Sequence, residues 1–493
     1  MPTYKTPGVF IEEVTRLPPS VTGVATAVPA FMGFTEQAVN EKGEDLTDVP
    51  TRITSLKEYE LYFGRVPAQT FAINVMQRQQ KSDGRIIDVQ VTFATKPPRV
   101  PAYLLYYSMQ MFFANGGSVC YVVSIGNTST TAYDPALFVA AFDVLAKHHE
   151  PTLYVFPDAC SHRAGFEARD VDVGMIITAA LQSCAHVKNR FTICDVRNAL
   201  SGGTVTNADV DKTFRTQISS SPEILRYGAV YFPYLETSIN FVSADNHVTI
   251  ASHTVVTVAD DGSESSAAGH IAANTTLDVI RVAKSLAIYD AAHRFISLNS
   301  KVTLPPSGAI AGVYAQVDTN RGVWKAPANV SVALVEKPAL MVDEKFGGDL
   351  NVDLSGKSVN TIRAFAGRGI RVWGARTLAG NDNEWRYVSV RRFCNFIEGS
   401  VTNAIEPFVF EPNDANTWIR VRGMIENFLF QQWQQGALMG NKPEEAFYVR
   451  VGLNQTMTAN DVLEGRMIVE IGLAVVRPAE FIVLRFMLKM LSQ

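Results

Sequence analysis

The sequence has few charged residues and few cysteines for its length. Only 19% of its 493 residues are Asp, Glu, Lys or Arg, against about 25% in an average soluble protein. The formal net charge of −4 excludes the basic field that draws a chain onto nucleic acid or anionic lipid. The cysteines are odd in number, scattered and without a C-x-x-C spacing, so we expect reduced core residues in a chain that folds in a cytoplasm. They are Cys120, Cys160, Cys184, Cys194 and Cys394.

Long hydrophobic runs are absent as well. No uninterrupted apolar stretch approaches the roughly 20 residues of a membrane span. The first residues, Met1–Lys5, lack an apolar signal core, and the apolar C-terminal end is interrupted by Arg485 and Lys489. We therefore expect neither a signal peptide nor a membrane-spanning segment.

The motifs of nucleotide-binding enzymes are incomplete. Gly356-Lys357-Ser358 resembles the end of a phosphate-binding loop, but Asn351 stands where its first glycine belongs. A dinucleotide fingerprint begins at Gly367 and Gly369 and fails at Val372. G-x-S-x-G and H-E-x-x-H do not occur. Adjacent histidines at a helix end point in different directions, so His148-His149-Glu150 fits a solvated helix end better than a metal site. We expect no enzyme, with no catalytic, cofactor-binding or metal-ligating residues.

Hydrophobic periodicity predicts alternating strands and helices, which is typical of an α/β layer with a mostly parallel sheet. Helices are predicted over 103–114, 135–148, 171–186, 208–218, 277–293, 393–402 and 417–435. Strands are predicted over 119–125, 152–157, 190–196, 229–232, 370–377, 386–390, 467–476 and 480–490. Residues 238–276 break the alternation, and their apolar–polar pattern and polar turns predict a β-rich insertion.

Both ends of the chain carry strand signals. Near the C terminus, Ile482, Leu484, Phe486 and Leu488 alternate with the other face of a strand over 480–490. Near the N terminus, Val9, Phe10, Ile11 and Val14 form a shorter signal. Terminal strands can complete their own sheet or can be donated to a neighbouring molecule, where main-chain hydrogen bonds supply the affinity.

Arginines are concentrated between residues 363 and 392. Guanidinium groups suit bidentate carboxylate pairing and buried interfaces. Charge patterning alone equally fits a solvated strand edge. The candidates for ionic contacts between subunits are Arg363, Arg368, Arg371, Arg376, Arg391 and Arg392, with Arg386 in the same region and acidic residues nearby at Asp343, Glu344, Asp349 and Asp353.

Several stretches of this chain, in order along its length, resemble the contractile tail sheath family. The opening Tyr4-Lys5-Thr6-Pro7-Gly8-Val9-Phe10-Ile11-Glu12-Glu13 resembles the start of that family, and Pro305–Tyr314 and Arg321–Asn329 resemble its central blocks. Val372–Leu378, Phe410–Asn413 and Pro478–Phe481 resemble later ones. The likeness is weakest over 36–100 and 238–276.

The resemblance implies a structural and mechanical subunit without a cofactor. Such subunits stack as six-subunit rings around an inner tube and contract to drive the tube through a target envelope. The implied partners are other copies of the chain, the inner tube protein, baseplate and terminator or cap proteins, and a paralogous sheath protein where one exists; nucleic acid is not among them. Assembly is expected in the bacterial cytoplasm, and function in a virion tail or an injection particle.

The resemblance also implies a multidomain α/β (mixed α+β) sheath-type fold. We expect an N-terminal arm over 1–35, a variable outer segment over 36–100, a central α/β domain over 101–345 with its β-rich insertion at 238–276, a conserved inner domain over 346–479 and a C-terminal strand arm over 480–493. Alternatives are the large sheath component of a type VI secretion-like system and a non-contractile structural virion protein.

One helix is a candidate for facing the inner tube. Glu426, Gln431, Gln434 and Gln435 lie off the apolar face of the helix predicted over 417–435. The same periodicity equally fits a helix that only covers the inner sheet.

Overall fold

The computed structural model describes residues 21–163, 166–167, 169–197, 205–283 and 285–485. The chain divides into two compact units. Among the described residues, we call 25–395 with 478–485 the body, and 21–24 with 396–477 the C-terminal unit. Predicted arm residues Val9, Phe10, Ile11, Val14, Phe486 and Leu488 lie outside the described residues.

The described strands are β1 (Pro29–Thr35), β2 (Thr51–Ile53), β3 (Phe71–Gln80), β4 (Ile86–Phe93), β5 (Cys120–Asn127), β6 (Leu153–Val155), β7 (His162–Arg163), β8 (Phe166–Glu167), β9 (Phe191–Asp195), β10 (Gly228–Phe232), β11 (Leu235–Asn240), β12 (Val248–Val258), β13 (Glu264–Ala268), β14 (Thr275–Thr276), β15 (Lys301–Leu304), β16 (Val335–Pro338), β17 (Asn360–Phe365), β18 (Gly369–Trp373), β19 (Phe447–Arg450) and β20 (Glu470–Leu473).

The described α-helices are α1 (Leu56–Phe63), α2 (Leu105–Ala114), α3 (Pro135–Ala146), α4 (Asp170–Val187), α5 (Asn207–Thr213), α6 (Pro222–Leu225), α7 (Leu277–Val282), α8 (Leu286–Asn299), α9 (Ser307–Arg321), α10 (Glu344–Asn351), α11 (Val388–Ile405), α12 (Ala415–Gln434), α13 (Pro443–Ala446) and α14 (Ala459–Leu463). None of the helices within these described segments is long and apolar enough to cross a membrane.

An eight-stranded sheet forms the centre of the body, in the order β18-β17-β10-β9-β6-β1-β5-β2. Its six inner strands run parallel, and β18 and β2 are antiparallel to their neighbours. The inner strands β1, β6, β9 and β10 are buried on both faces, as expected where helices cover a parallel sheet. The predicted α/β layer is confirmed.

β1 is an inner strand of this sheet, with every residue buried. The expected N-terminal arm over 1–35 is therefore too long, because the all-apolar run at 29–34 is needed in the core. Residues 346–395 also group with the body and not with the C-terminal unit, so the domain boundary expected at 346 is wrong.

Strands from the two regions of weakest family likeness share one sheet. β12 pairs in parallel with β3 along nearly its whole length, and β3 pairs with β4 in a hairpin. β13 and β14 complete a five-stranded sheet. The strands β12, β13 and β14 lie within the segment expected as a β-rich insertion, 238–276, and they share their sheet with residues 71–93.

Helix α9 explains one of the family-like blocks. Its glycines lie against α2: a Cβ on Gly308 would come within 2.7 Å of the carbonyl oxygen of Ser108, and one on Gly312 within 2.5 Å of that of Phe112. Close backbone approach of this kind requires glycine. The block serves helix packing in the core.

The strand predicted over 386–390 is wrong. Helix α11 begins at Val388, because the buried residues Val390, Phe393, Ile397 and Val401 recur at helical spacing. The β propensity of two valines is weaker than this packing.

Candidate assembly sites

The C-terminal unit contains a ribbon of only two strands, β19 and β20. Phe447 pairs with Leu473 and Arg450 with Glu470 in an antiparallel register. The Ala474 N–H donates to the Ala446 carbonyl, which makes that facing pair a hydrogen-bonded one. Hydrogen-bonded pairs alternate along such a ladder, so the backbone groups of Val449 on β19 and Ile471 on β20 face away from the ribbon.

A groove of about 570 Å³ lies beside β19. Helix α12 forms one wall, and α13 and β19 form the rest. Its lining is mixed, with two cations, two carboxylates and an apolar floor. The lining residues are Arg422, Glu426, Asn427, Phe430, Pro443, Glu444, Phe447, Tyr448, Val449 and Arg450. An outward-facing strand edge next to a helix wall is a place where an extended peptide can add a strand.

Sequence reasoning missed this groove. β19 is only four residues long and shows one buried side chain, Val449, so period-two alternation has too few positions to register. One pattern could have predicted β19: a turn signal at Gly440-Asn441-Lys442-Pro443 that comes shortly before Phe447–Arg450.

The C-terminal arm is exposed where it is described. Ile482 and Leu484 are 80% and 74% exposed, and Phe481 and Val483 on the other face are 71% and 76% exposed. Residues 480–485 form no strand within the chain. Apolar side chains exposed on both faces are unusual in a finished monomer, and they fit a segment that pairs elsewhere.

The arm begins at a strongly held carboxylate, Glu480. Arg376 donates to it in bidentate fashion, Nε to Oε1 at 2.9 Å and Nη2 to Oε2 at 2.7 Å. Asn351 donates to Oε1 at 2.8 Å, and the Tyr387 hydroxyl donates to Oε2 at 3.1 Å. Burial by itself would raise the pKa of Glu480, but the hydrogen bonds from Arg376 and Asn351 and the guanidinium charge hold that pKa below its usual value.

The arginine cluster separates into a buried and an exposed half. Arg376, Arg391 and Arg392 are 4% exposed or less. Arg392 pairs with Asp318 and donates to the Thr26 carbonyl. These three arginines bind groups of their own chain, so their assignment as ionic contacts between subunits is wrong.

Arg391 shows how such burial is achieved. Its Nε donates to Asn395 at 2.7 Å, and its guanidinium lies 4.4 Å from the Trp385 ring centroid and 5.0 Å from that of Tyr227. Aromatic faces substitute for solvent around a buried guanidinium. Charge patterning in a sequence does not reveal such partners.

The exposed half lies on the β17–β18 hairpin, where Arg368 is exposed and Arg363 and Arg371 are half-buried. Arg363 and Arg368 lie over the Phe365 ring, at 5.7 and 4.7 Å. Arg371 donates to the Asn329 carbonyl at 2.8 Å. No acidic side chain among the described residues pairs with these three, so their charges remain available for a partner.

The residues of α12 that are candidates for facing the inner tube also differ in their surroundings. Glu426 accepts a hydrogen bond from Arg422 at 2.8 Å and lines the groove. Gln431, Gln434 and Gln435 are exposed near the end of α12. The buried face of α12 includes Val421, Ile425, Phe428 and Leu429, as its periodicity predicted.

Residues 380–489 match the family model described as the phage tail sheath C-terminal domain. A tail sheath protein of Burkholderia phage BcepMu is 30% identical over 182 residues, which are 36% of this chain and 37% of that protein. The aligned part thus spans little more than a third of this curated relative.

Solved structures match along almost the entire chain. A chain of the PVC sheath complex, an extracellular contractile injection system in its contracted state, is 29% identical with a TM-score of 0.62, covering 99% of this chain and 98% of that one. A chain of the anti-feeding prophage baseplate is 29% identical with a TM-score of 0.60, covering 99% of this chain and all of that one.

Proposed function

We propose that this chain, whose residues 380–489 form a phage tail sheath C-terminal domain, is the structural subunit of a contractile sheath. It polymerises as stacked six-subunit rings around an inner tube, and the rings compact to drive that tube through a target envelope. Support comes from its similarity, along its whole length, to a chain of a contracted sheath. Contraction then draws on the free-energy difference between two packings of one lattice and needs no nucleotide.

The single observation that carries this proposal is the pairing of an incomplete ribbon with an exposed arm. The β19–β20 ribbon has an outward-facing edge on each strand, and one edge borders the groove. Residues 481–485 expose apolar side chains on both faces. We assign the ribbon as the acceptor and the terminal arms of neighbouring copies, carrying Ile482, Leu484, Phe486 and Leu488 at one end and Val9, Phe10, Ile11 and Val14 at the other, as the donated strands.

The remaining contacts follow from the same assembly. Arg363, Arg368 and Arg371 present their charge to a neighbouring subunit, and Gln431, Gln434 and Gln435 with Glu426 face the inner tube. Baseplate and terminator proteins bind the ends of the cylinder, and assembly takes place in the bacterial cytoplasm. An enzymatic role is not part of this proposal.

Electron microscopy of three purified chains tests the proposal. The full chain should form striated cylinders. A chain ending at Phe481, which keeps Glu480 and its partners, and a chain beginning at Val21 should remain folded and fail to form them. Cylinders from both shortened chains would refute strand donation, and a full chain that never forms cylinders would contradict the sheath assignment.

A further inference from the structure

The C-terminal arm has one fixed point, and it lies at the first residue of the arm. Among residues 477–485, the only hydrogen bonds to other described residues are those of Glu480. The last backbone bond before it is donated by the Val476 N–H to Ala437. The apolar side chains of residues 481–484 are 71–80% exposed. Glu480 is therefore the last described residue of the chain that is hydrogen-bonded to the body, and the exposed arm begins directly after it.

Three separate segments of the body converge on this carboxylate. Arg376 follows β18, Asn351 ends α10 and Tyr387 immediately precedes α11. We call these four side chains the arm clamp. The guanidinium is itself held in place, since the backbone N–H of Arg376 donates to Asn360 at 2.7 Å and Nη1 reaches the Asn351 carbonyl. A carboxylate that receives hydrogen bonds from three side chains on three segments is fixed in direction as well as position.

The burial of Arg376 makes the clamp strong. Its side chain is 4% exposed, and Glu480 is 20% exposed. Loss of the carboxylate would leave a buried cation without its counter-charge, which is far costlier than loss of a surface pair. We therefore expect the clamped arrangement to predominate in the isolated chain.

The clamp shortens the tether of the donated strand. While the clamp holds, the free segment begins at Phe481. Without the clamp the free segment would begin after Val476 and gain four residues. A longer, freely rotating tether lowers the effective concentration of the strand at its acceptor and permits pairing in shifted registers.

We propose that Glu480 is a positioning residue for assembly: held by Arg376, Asn351 and Tyr387, it sets where and in which direction the C-terminal arm leaves the body, and so the register in which a neighbouring copy receives it. This inference rests on strand donation as the proposed function. It adds to strand donation a contact within the chain that controls where the donated strand begins and in which direction it points.

Spin-label distances test the clamp in the isolated chain. Labels at Lys345→Cys on α10 and Leu484→Cys on the arm occupy exposed positions, in a background with Cys394→Ala, since Cys394 is the one partly exposed cysteine of the described residues. Below the concentration of polymerisation, the unmodified clamp should give a narrow distance distribution. Glu480→Gln should broaden it, and the surface substitution Glu344→Gln, on α10, should not.

Polymerisation supplies the second readout. The critical concentration for cylinders, measured by sedimentation, should rise about tenfold in Glu480→Gln and stay unchanged in Glu344→Gln. Should Glu480→Gln unfold, Arg376→Gln with Glu480→Gln removes the stranded buried charge and should restore the fold while the distribution stays broad.

The proposal is overturned if the variants with an altered clamp keep the narrow distribution and the unchanged critical concentration. A full chain that forms no cylinders at all would instead count against the sheath assignment, and the distance measurement would still decide whether Glu480 fixes the arm.

Discussion

The eight-stranded sheet of the body and the two-stranded ribbon of the C-terminal unit differ in how they end. On the body sheet, the outer side of β18 is covered by residues 329–332, whose backbone bonds to Ile370 and Val372. The opposite edge, β2, is only three residues long. Short or covered edges prevent pairing with other chains. This sheet is complete within one molecule.

Among the described residues, no further strand covers either edge of the β19–β20 ribbon. Two strands alone are marginally stable in water, and three or more are needed for an independent sheet. Its two edges remain available, one of them beside the groove. We therefore expect the body to fold by itself, and the proposed function has the ribbon completed by strands from neighbouring copies of the chain. Substitutions in the body should therefore affect unfolding, and substitutions at the ribbon should affect assembly.

The largest loss of stability is expected from the buried ion pair of the body. Arg392→Ala leaves Asp318, itself buried, without its partner, and should lower the free energy of unfolding by about 3–5 kcal/mol. Arg368→Ala, in the exposed half of the same cluster, should cost within about 1 kcal/mol. Urea unfolding of the monomers measures both.

Replacing the whole pair is the control. Arg392→Met with Asp318→Leu should recover much of the loss, because no buried charge is left uncompensated. Equal losses for Arg392→Ala and Arg368→Ala would contradict the separation of the cluster into buried and exposed halves.

A smaller effect is expected from pH. Burial raises the pKa of Asp195 to about 7, although hydrogen bonds from Ser307 oppose the rise, and burial likewise raises the pKa of Asp158 to about 6. An unfolded aspartate titrates near 3.9. Between roughly pH 4 and pH 7 the folded chain therefore holds protons that the unfolded chain has released, so the free energy of unfolding should fall as pH rises through this window.

Asp195→Asn should make the free energy of unfolding depend less steeply on pH. Its amide oxygen can still accept from the Ser307 N–H, which donates to Asp195 at 2.9 Å. The wild-type chain should be more stable at pH 5 than at pH 8, with Asp195 contributing on the order of 1–3 kcal/mol to the difference. The exposed Asp143→Asn is the matched control. The raised pKa of Asp195 would be refuted if the free energy of unfolding increased with pH over this window. It would also be refuted if Asp195→Asn left the pH dependence unchanged.

The sequence was sufficient where periodicity reports burial. The parallel layer and helix α12 were predicted from apolar spacing, because side chains facing a core must recur at the period of their element. The same periodicity does not predict which residue a charged side chain contacts. Arg376 and Arg368 look alike in the sequence, yet one meets Glu480 across 104 residues and the other lies over Phe365.

Short elements were missed for a related reason. β19 has four residues and one buried side chain, so its environment is set by α12 and β20 and not by its own pattern. The role of β1 was misjudged because a buried parallel strand is a plain apolar run, which carries no sign of its place in the sheet.

The smallest effect on folding is expected in the groove, where assembly should instead suffer. Phe430 is 36% exposed, lines the groove and packs against Trp433 at 5.6 Å between ring centroids. Phe430→Glu should change the free energy of unfolding by no more than about 1 kcal/mol. A carboxylate on the apolar floor should oppose entry of a strand carrying Ile, Leu and Phe, since pairing would bury the charge.

Ile419→Glu is the matched control on the same helix. Ile419 is 69% exposed and does not line the groove, so this variant receives the same charge without obstructing the proposed acceptor. Cylinder yield by sedimentation and electron microscopy should fall sharply for Phe430→Glu and remain near wild type for Ile419→Glu. If the two variants assemble equally well, the groove beside β19 is not where an arm is received, and the open edge of β20 becomes the acceptor to test.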